Sequence, residues 1–265
     1  MAYVILSRVT AINQIFLEEF NPKKIYCSLE ARTEVERLST RSTKLQKTEW
    51  IIPKPRAIRI TSINARSLQQ HYQDLRKDAF LNKSDIICIQ ETWLEQNLQD
   101  EDNTFNHYYV HGRTKGIALM TKTIPVSTHN FQSTHCSILK ACYKDFDVIN
   151  VYRFANDTKL KEFTVEVMEE LDITRTQVVL GDFNINILKF PTNIFTSTLE
   201  ELGFQQLVVT PTHTLGGCLD HVYFLSPNNN VCCKLFLSYR VFWSDHCSQS
   251  IIMDFPDTIE NTSQM

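Results

Sequence analysis

Asp85-Ile86-Ile87-Cys88-Ile89-Gln90-Glu91-Thr92 is a short apolar run that breaks off at an amide and a carboxylate. Runs of this length, rich in β-branched residues and bounded by polar ones, read as strands. The same pattern recurs at Ala57–Ile63, Gly116–Met120, Asp147–Tyr152, Gln177–Leu180, Leu219–Leu225 and Ser250–Phe255. Leu68–Leu81 and Lys159–Leu171 have helical spacing instead, and in the second Leu160, Phe163, Val167 and Leu171 fall on one face. Strands and helices interspersed in this way predict an α/β domain built on sheets.

What marks these strands is how they end. Asn64, Gln90-Glu91, Tyr152, Asp182–Asn184, Asp220-His221 and Asp245-His246 cluster at strand ends. A carboxylate there is costly to hold unless it is paired, hydrogen-bonded or metal-bound, and strand ends are where α/β folds collect catalytic groups. Hydrolysis of a phosphodiester needs a cation for the phosphoryl oxygens, a group that orients or deprotonates water, and donors for the pentavalent centre. Glu91 and Asp245 suit the cation, Asp182 the water, and His246 with Asn184 the donors. Hard carboxylate oxygens without a cysteine or multi-histidine set favour Mg2+ or Mn2+ over zinc. Taken singly, each residue has a plainer reading: Asn64 could cap the helix after Ser67, Glu91 could pair with a surface lysine, Gly181-Asp182 could be a turn, and His246 could be structural. Their conjunction, each at the end of a strand, is what points to chemistry.

With 43% apolar and 22% charged residues, the 265-residue chain has the composition of an ordinary globular protein, long enough for one large domain and an appendage. Between Ser39 and Arg56 the apolar periodicity gives way to Ser, Thr, Lys, Arg and the prolines Pro53 and Pro55, as in a linker. The expected layout is therefore a leading segment 1–40, a linker 41–56, the main domain 57–257 and a tail 258–265. Arg8 interrupts the first apolar run and Glu18 and Glu19 follow it, which speaks against a signal peptide, and no window approaches the roughly 20 apolar residues of a membrane span. Eight cysteines without a C-x-x-C pair read as reduced structural thiols. The absence of a G-x-x-x-x-G-K-[ST] loop excludes an autonomous P-loop ATPase. Residues 1–56 carry a net charge of +4, leaving −7 on residues 57–265. A nucleic-acid site on the second part must rely on local geometry and bound cations, because phosphate neutralisation normally draws on a basic surface.

Ile60-Thr61-Ser62-Ile63-Asn64, the Asp85–Thr92 run, Gly181-Asp182-Phe183-Asn184, Leu219-Asp220-His221 and Ser244-Asp245-His246 resemble, in order, the motifs of the endonuclease/exonuclease/phosphatase superfamily. Within it, Asn64-Ala65-Arg66-Ser67-Leu68 and Pro211-Thr212-His213-Thr214 look like the endonucleases of LINE-type retrotransposons, which nick DNA and leave a 3′-hydroxyl. The resemblance implies a four-layer α/β sandwich, two packed mixed β-sheets with helices outside. It implies Glu91 as principal metal ligand with Asn64 beside it and Asp245 completing the metal side. Asp182 would activate water, Asn184 would hold Asp182 and the phosphate, Asp220 would orient His246, and His246 would donate to the scissile phosphate. Tyr152 would order the site, and Thr212 and Arg66 would contact substrate. Arg66 stands where apurinic-type repair enzymes carry an acid. Lys115-Gly116 and Ser248-Gln249 also depart from the pattern, in ways expected to affect efficiency more than fold.

Ala2–Val9 and Phe20–Ile25 resemble the C-terminal end of Helitron-type transposon helicases, in which an arginine at the place of Arg8 reaches the γ-phosphate of ATP. Without a P-loop, Arg8 has nothing to act on, and a disordered leader is the plainer reading of this segment. Together the two resemblances imply a metal-dependent endonuclease of a mobile element, intracellular and nuclear, with DNA as partner, no membrane, and the remainder of a transposon polyprotein as a further partner. A phosphatase on a small or lipid phosphoester and a catalytically decayed transposon domain stand as alternatives.

Overall fold

A computed structural model describes residues 57–98, 104–228 and 231–255, Phe236 by its backbone only. Arg8 and the segments 1–40, 41–56 and 258–265 lie outside these residues. The described residues belong to one compact unit, Pro53–Met265.

The run that ends at Gln90 is strand β2 (Ile86–Gln90), and it lies parallel to β1 (Ala57–Asn64), with Asn64 opposite Gln90. Helix α1 (Leu68–Lys77) makes the crossover between them, since parallel neighbours cannot be joined by a tight turn. A second such unit is formed by β7 (Phe146–Arg153), α2 (Leu160–Glu169) and β8 (Thr176–Asp182), with β7 and β8 parallel and Tyr152 opposite Asp182. Each parallel pair sits near the middle of a mixed sheet. The first sheet adds β3 (Asn106–Val110), β4 (Ile117–Thr121), β11 (Cys232–Arg240) and β12 (Cys247–Asp254), in the order β11-β12-β1-β2-β4-β3. The second adds β5 (Ser127–Gln132), β6 (Cys136–Cys142), β9 (Gln205–Gln206) and β10 (Asp220–Leu225), in the order β5-β6-β7-β8-β10-β9. A third helix, α3 (Ile194–Glu201), follows β8.

The layers follow from alternation along the strands. Ile86 and Cys88 face Leu139, Val148 and Leu180 in the core between the sheets, whereas Ile87 and Ile89 face outward under Leu68 and Leu75 of α1. On the other side, Val151 and Val179 pack beneath Phe163 and Val167 of α2 and Phe195 and Leu199 of α3. Because the central strands are covered on both faces, they read in sequence as unbroken apolar runs. The result is the expected two-sheet sandwich with helices outside.

Two features fix how the sheets meet beneath the strand ends. Gly181 has φ 140°, and a Cβ there would lie 1.9 Å from the Val151 carbonyl oxygen, so only glycine lets β8 approach β7 this closely. Asn150 of β7 bridges the sheets: its Oδ1 accepts from Gln90 Nε2 at 2.7 Å and its Nδ2 donates to the Ala118 carbonyl at 2.9 Å.

Sequence periodicity found seven of the strands. It passed over β3, β5, β6, β9, β11 and helix α3. β5 is almost wholly exposed and polar, so it lacks the alternation that burial imposes. Helix α3 is eight residues long and is set by a capping box between Asn193 and Thr196. The helix expected over Leu68–Leu81 stops at Lys77, and a 3-10 turn, Leu81–Lys83, carries the chain into β2.

Candidate active site

The carboxyl ends of β1, β2, β7 and β8 converge, and the turns that leave them are strained. Arg66, Ser67, Glu91, Trp93 and Asn184 all have positive φ, between 44° and 99°, and they are the non-glycine residues with this conformation among those described. All lie in the turns after β1, β2 and β8. Such backbone costs energy and persists only where surrounding bonds over-determine it, which is a mark of functional turns. Here the Ser67 N–H donates to the Glu91 carbonyl at 2.8 Å, the Thr92 N–H to the Gly116 carbonyl at 3.0 Å, and the Asn184 N–H to Asp182 Oδ1 at 3.0 Å.

Asn64, fully buried, ties the two sheets together at this end. Its Nδ2 donates to Glu91 Oε1 at 2.9 Å and to Asp182 Oδ2 at 2.8 Å, while its Oδ1 accepts the Arg66 N–H at 3.0 Å. Tyr152 adds its hydroxyl to Glu91 Oε1 at 3.0 Å. On the other flank, Asp220 stands opposite Asp182 in register and accepts from His246 Nδ1 at 2.9 Å. The ligand atoms of Asp182, Asp220 and His246 lie within 4.8 Å of one another. One side of the cluster is therefore a pair of bridged carboxylates, and the other a carboxylate–imidazole pair.

Burial and charge set the protonation of this cluster. Asp182 is pushed up to about 7, first by burial and then by the Asp220 charge, with His246, the Asn184 N–H and Asn64 offsetting part of the effect. For His246, burial pulls down, but the charge and hydrogen bond of Asp220, helped by Asp182 and Asp245, outweigh it and raise the ring to about 9. The Asp220 pairing thus favours the cationic imidazole, while burial favours the protonated form of Asp182. Burial, Glu91 and Asp182 together keep Tyr152 protonated well above its ordinary value. Asp245 is held below the usual carboxylate range: burial acts upward, but His246, Arg66 and His213 prevail.

Asp245 lies at the rim, paired with Arg66 Nη1 through Oδ2 and 3.3 Å from His213 Nε2. Its Oδ1 is buried without a hydrogen-bond partner and faces His246 Nε2 at 3.9 Å. An orphaned carboxylate oxygen beside a site built on hard oxygen donors fits a divalent cation of the Mg2+ or Mn2+ type. Asp245 belongs, with His213 and His246, to a second cluster whose ligand atoms lie within 4.8 Å of one another.

All of the sequence-derived site residues among those described gather here, although Thr212 does so differently from expectation. It is fully buried, and its hydroxyl oxygen accepts the N–H groups of Leu219 and Asp220 at 3.0 Å each, so it braces Asp220 from within and does not face substrate. Three participants had no role assigned from sequence. His213 bridges to His246 in the backbone, and its Nδ1 accepts the Leu215 N–H at 3.1 Å, which leaves the proton on the Nε2 that faces Asp245. Ser244 donates to the Asn64 carbonyl at 2.7 Å and accepts the His246 N–H at 3.1 Å. Arg153 closes the turn at Asn184 from behind. The place of His213 inside the Pro211–Thr214 motif was the one available signal for it.

A mixed two-sheet sandwich thus gathers this carboxylate, asparagine and histidine set at its strand ends. The endonuclease/exonuclease/phosphatase family profile matches residues 61–246, and the chain belongs to that family, whose members are phosphodiester hydrolases. Among solved structures, the fold is similar to NExo from Neisseria, a 3′ phosphatase bound to a product DNA hairpin, at 18% identity and TM-score 0.56 over 75% of this chain and 99% of that one. It is similar to an AP endonuclease from Archaeoglobus fulgidus at 17% identity and TM-score 0.56, again over 75% and 99%. The endonuclease domain of TRAS1, a telomere-specific non-LTR retrotransposon, aligns over the same shares at 14% identity and TM-score 0.54. At these identities the likeness speaks to fold alone. No curated protein matches the chain by sequence. Among the described residues no helix is long and apolar enough to cross a membrane.

Proposed function

We propose that this protein is a divalent-metal-dependent endonuclease that nicks DNA and leaves 3′-hydroxyl and 5′-phosphate ends. The observation that carries the reading is the pairing of a raised, buried Asp182 with a cationic His246 across Asp220. Asp182 holds and deprotonates the attacking water, a role that the upward pull of burial on its carboxyl suits. His246, oriented through Nδ1 by Asp220, presents Nε2–H to the phosphoryl oxygen on which charge develops. Asn184 and Tyr152 order Asp182 and the phosphate from the two neighbouring strand ends. Arg66, half-exposed at the rim, is free on its solvent side to meet a backbone phosphate. Glu91 and Asp245, with Asn64 fixing Glu91, would hold Mg2+ or Mn2+, which when bound neutralises charge on the phosphoryl oxygens.

The retrotransposon-like motifs favour DNA of a mobile element as substrate and a nuclear location, and the Helitron-like resemblance of Ala2–Val9 and Phe20–Ile25 favours a larger transposon polyprotein as partner. On this reading the layout is a segment 1–40, a linker 41–56, a nuclease domain 57–257 and a tail 258–265. The test is nicking of supercoiled plasmid by the full chain with Mg2+, with Mn2+ and with chelator, beside Asp182→Asn and His246→Ala. Metal-dependent nicking by the parent and not by the variants is expected. A folded parent that leaves plasmid intact under all conditions would refute the endonuclease, and small phosphoesters would then be the substrates to examine.

A further inference from the structure

Behind the site, the end of β7 carries a buried ion pair that the roles above do not use. Arg153 and Asp157 have side chains only 9% and 3% exposed, and the guanidinium meets Asp157 Oδ2 through Nε and Nη2, each at 2.9 Å. Nη2 also donates to the Asp157 carbonyl at 2.6 Å. The second carboxylate oxygen is taken by His135 Nδ1 at 2.7 Å and the Lys159 N–H at 3.1 Å. Phe163 of α2 supports the guanidinium from one side, its ring centre 5.5 Å away. The fork is thus fixed on all sides before it touches the site.

It touches the site at Asn184. Arg153 Nη1 donates to the Asn184 carbonyl at 3.4 Å, and Asn184 Nδ2 donates back to the Arg153 carbonyl at 2.7 Å. Between these two bonds Asn184 holds a left-handed backbone, φ 48°, from which its own N–H reaches Asp182 Oδ1. Asparagine tolerates that conformation better than most side chains, but it still lies above the right-handed and extended wells in energy, and the two bonds to Arg153 are what fix it here. Stability alone does not account for the pair either, because a buried ion pair can often be replaced by apolar side chains at no cost.

We propose that Arg153 and Asp157 are positioning residues for phosphodiester hydrolysis: the fork clamps Asn184 in its left-handed turn and through it aims the Asp182 carboxylate. The inference rests on the nuclease reading of Asp182. It assigns to the segment Arg153–Asp157 a function in turnover, carried entirely through Asn184. Lysine cannot replace the arginine, since one ammonium cannot span the Asp157 carboxylate and the Asn184 carbonyl in a fixed plane.

The test is a double-mutant cycle on the full chain, with Arg153→Met, Asn184→Ala and the pair assayed for Mg2+-dependent plasmid nicking, and Arg153→Lys as the conservative control. Arg153→Met is expected to lower kcat roughly 10- to 100-fold with KM little changed, as a misaimed catalytic group does. Arg153→Lys should not rescue it, and in the Asn184→Ala background, which keeps the backbone carbonyl but loses the side-chain half of the clamp, Arg153→Met should cost markedly less than in the parent. Equal losses in both backgrounds would mean the two residues act independently and would overturn the proposal. Asp157→Asn, which keeps the shape and removes the charge that anchors the fork, repeats the cycle if Arg153→Met fails to fold. A second readout needs no activity: the Asn184 side-chain amide signal in 15N NMR, identified by its loss in Asn184→Ala, should shift in Arg153→Met. An unmoved signal would overturn the clamp, whereas a moved signal with no nicking by the parent would leave the clamp standing and sink the nuclease reading instead.

Discussion

Replacing Asp220 by asparagine isolates the interaction that makes His246 a cation. The ring lies 2.9 Å from Asp220 Oδ2 and is raised from 6.5 to about 9 against the pull of burial. That shift corresponds to about 3 kcal/mol, at roughly 1.4 kcal/mol per pH unit. In Asp220→Asn the charge disappears while burial remains, so the ring should fall by at least about two units and be largely neutral at pH 7.5. Because the folded value is raised above the unfolded one, the stability it contributes is complete below about pH 6.5 and is lost as pH climbs through 9. In metal-free protein the parent should therefore lose about 2 kcal/mol more than Asp220→Asn between pH 7.5 and 9.5, read from urea denaturation. A titration of 15N-histidine signals, with His246→Ala to identify the ring, gives the two values directly. If the imidazolium is the donor to the phosphate, the variant's kcat/KM should recover as pH is lowered toward 6. A parent ring that titrates at or below 7, or one that titrates unchanged in Asp220→Asn, would refute the argument.

Other outcomes follow from the same geometry. Asp182 is raised above its unfolded value, so metal-free stability should also decline as pH rises from about 4 to 7, and Asp182→Asn should flatten that limb of the urea-midpoint profile. Gly181→Ala places a Cβ 1.9 Å from the Val151 carbonyl at φ 140°, and thermal melting should show a loss of about 3 kcal/mol or more, or no folded protein. Asn150→Leu removes the buried bridge between the sheets, taking the donor from the Ala118 carbonyl and leaving Gln90 Nε2 with Ser62 Oγ as its remaining side-chain acceptor, which should cost about 2 kcal/mol in urea denaturation without a change in secondary structure by circular dichroism. Arg66→Ala frees Asp245 from its guanidinium partner, so Mn2+ should bind several-fold more tightly in titration calorimetry even as plasmid nicking weakens.

The residues of the candidate site were legible in the sequence because each sits where a double-covered strand runs out. Asn64, Glu91, Asp182 and Asp220 interrupt or follow apolar runs, and plain local readings account for them singly but not for their recurrence together. Their order matched a known series of motifs, which supplied the sandwich that periodicity alone only permitted. Strands whose faces are unequally buried or wholly exposed, such as β5 and β11, left no such trace. The two-residue β9 and the eight-residue α3 were too short to show a period. These elements exist because a neighbouring strand or helix offers them a partner, and that information is not local.

The strand-end groups, and the alternation that buries Ile86 and Cys88 inward and Ile87 and Ile89 outward, are written in the chain's local pattern. Which groups meet is not: Asn64 between Glu91 and Asp182, His213 against Asp245, Arg153 against Asn184, and Thr212 turned inward to brace Asp220 all depend on the assembled fold. A side chain's neighbours along its own strand are fixed by the two-residue repeat, whereas its neighbours across strands and turns are fixed by register. Register is set collectively by the whole core, including a glycine at position 181 that lets two strands close together.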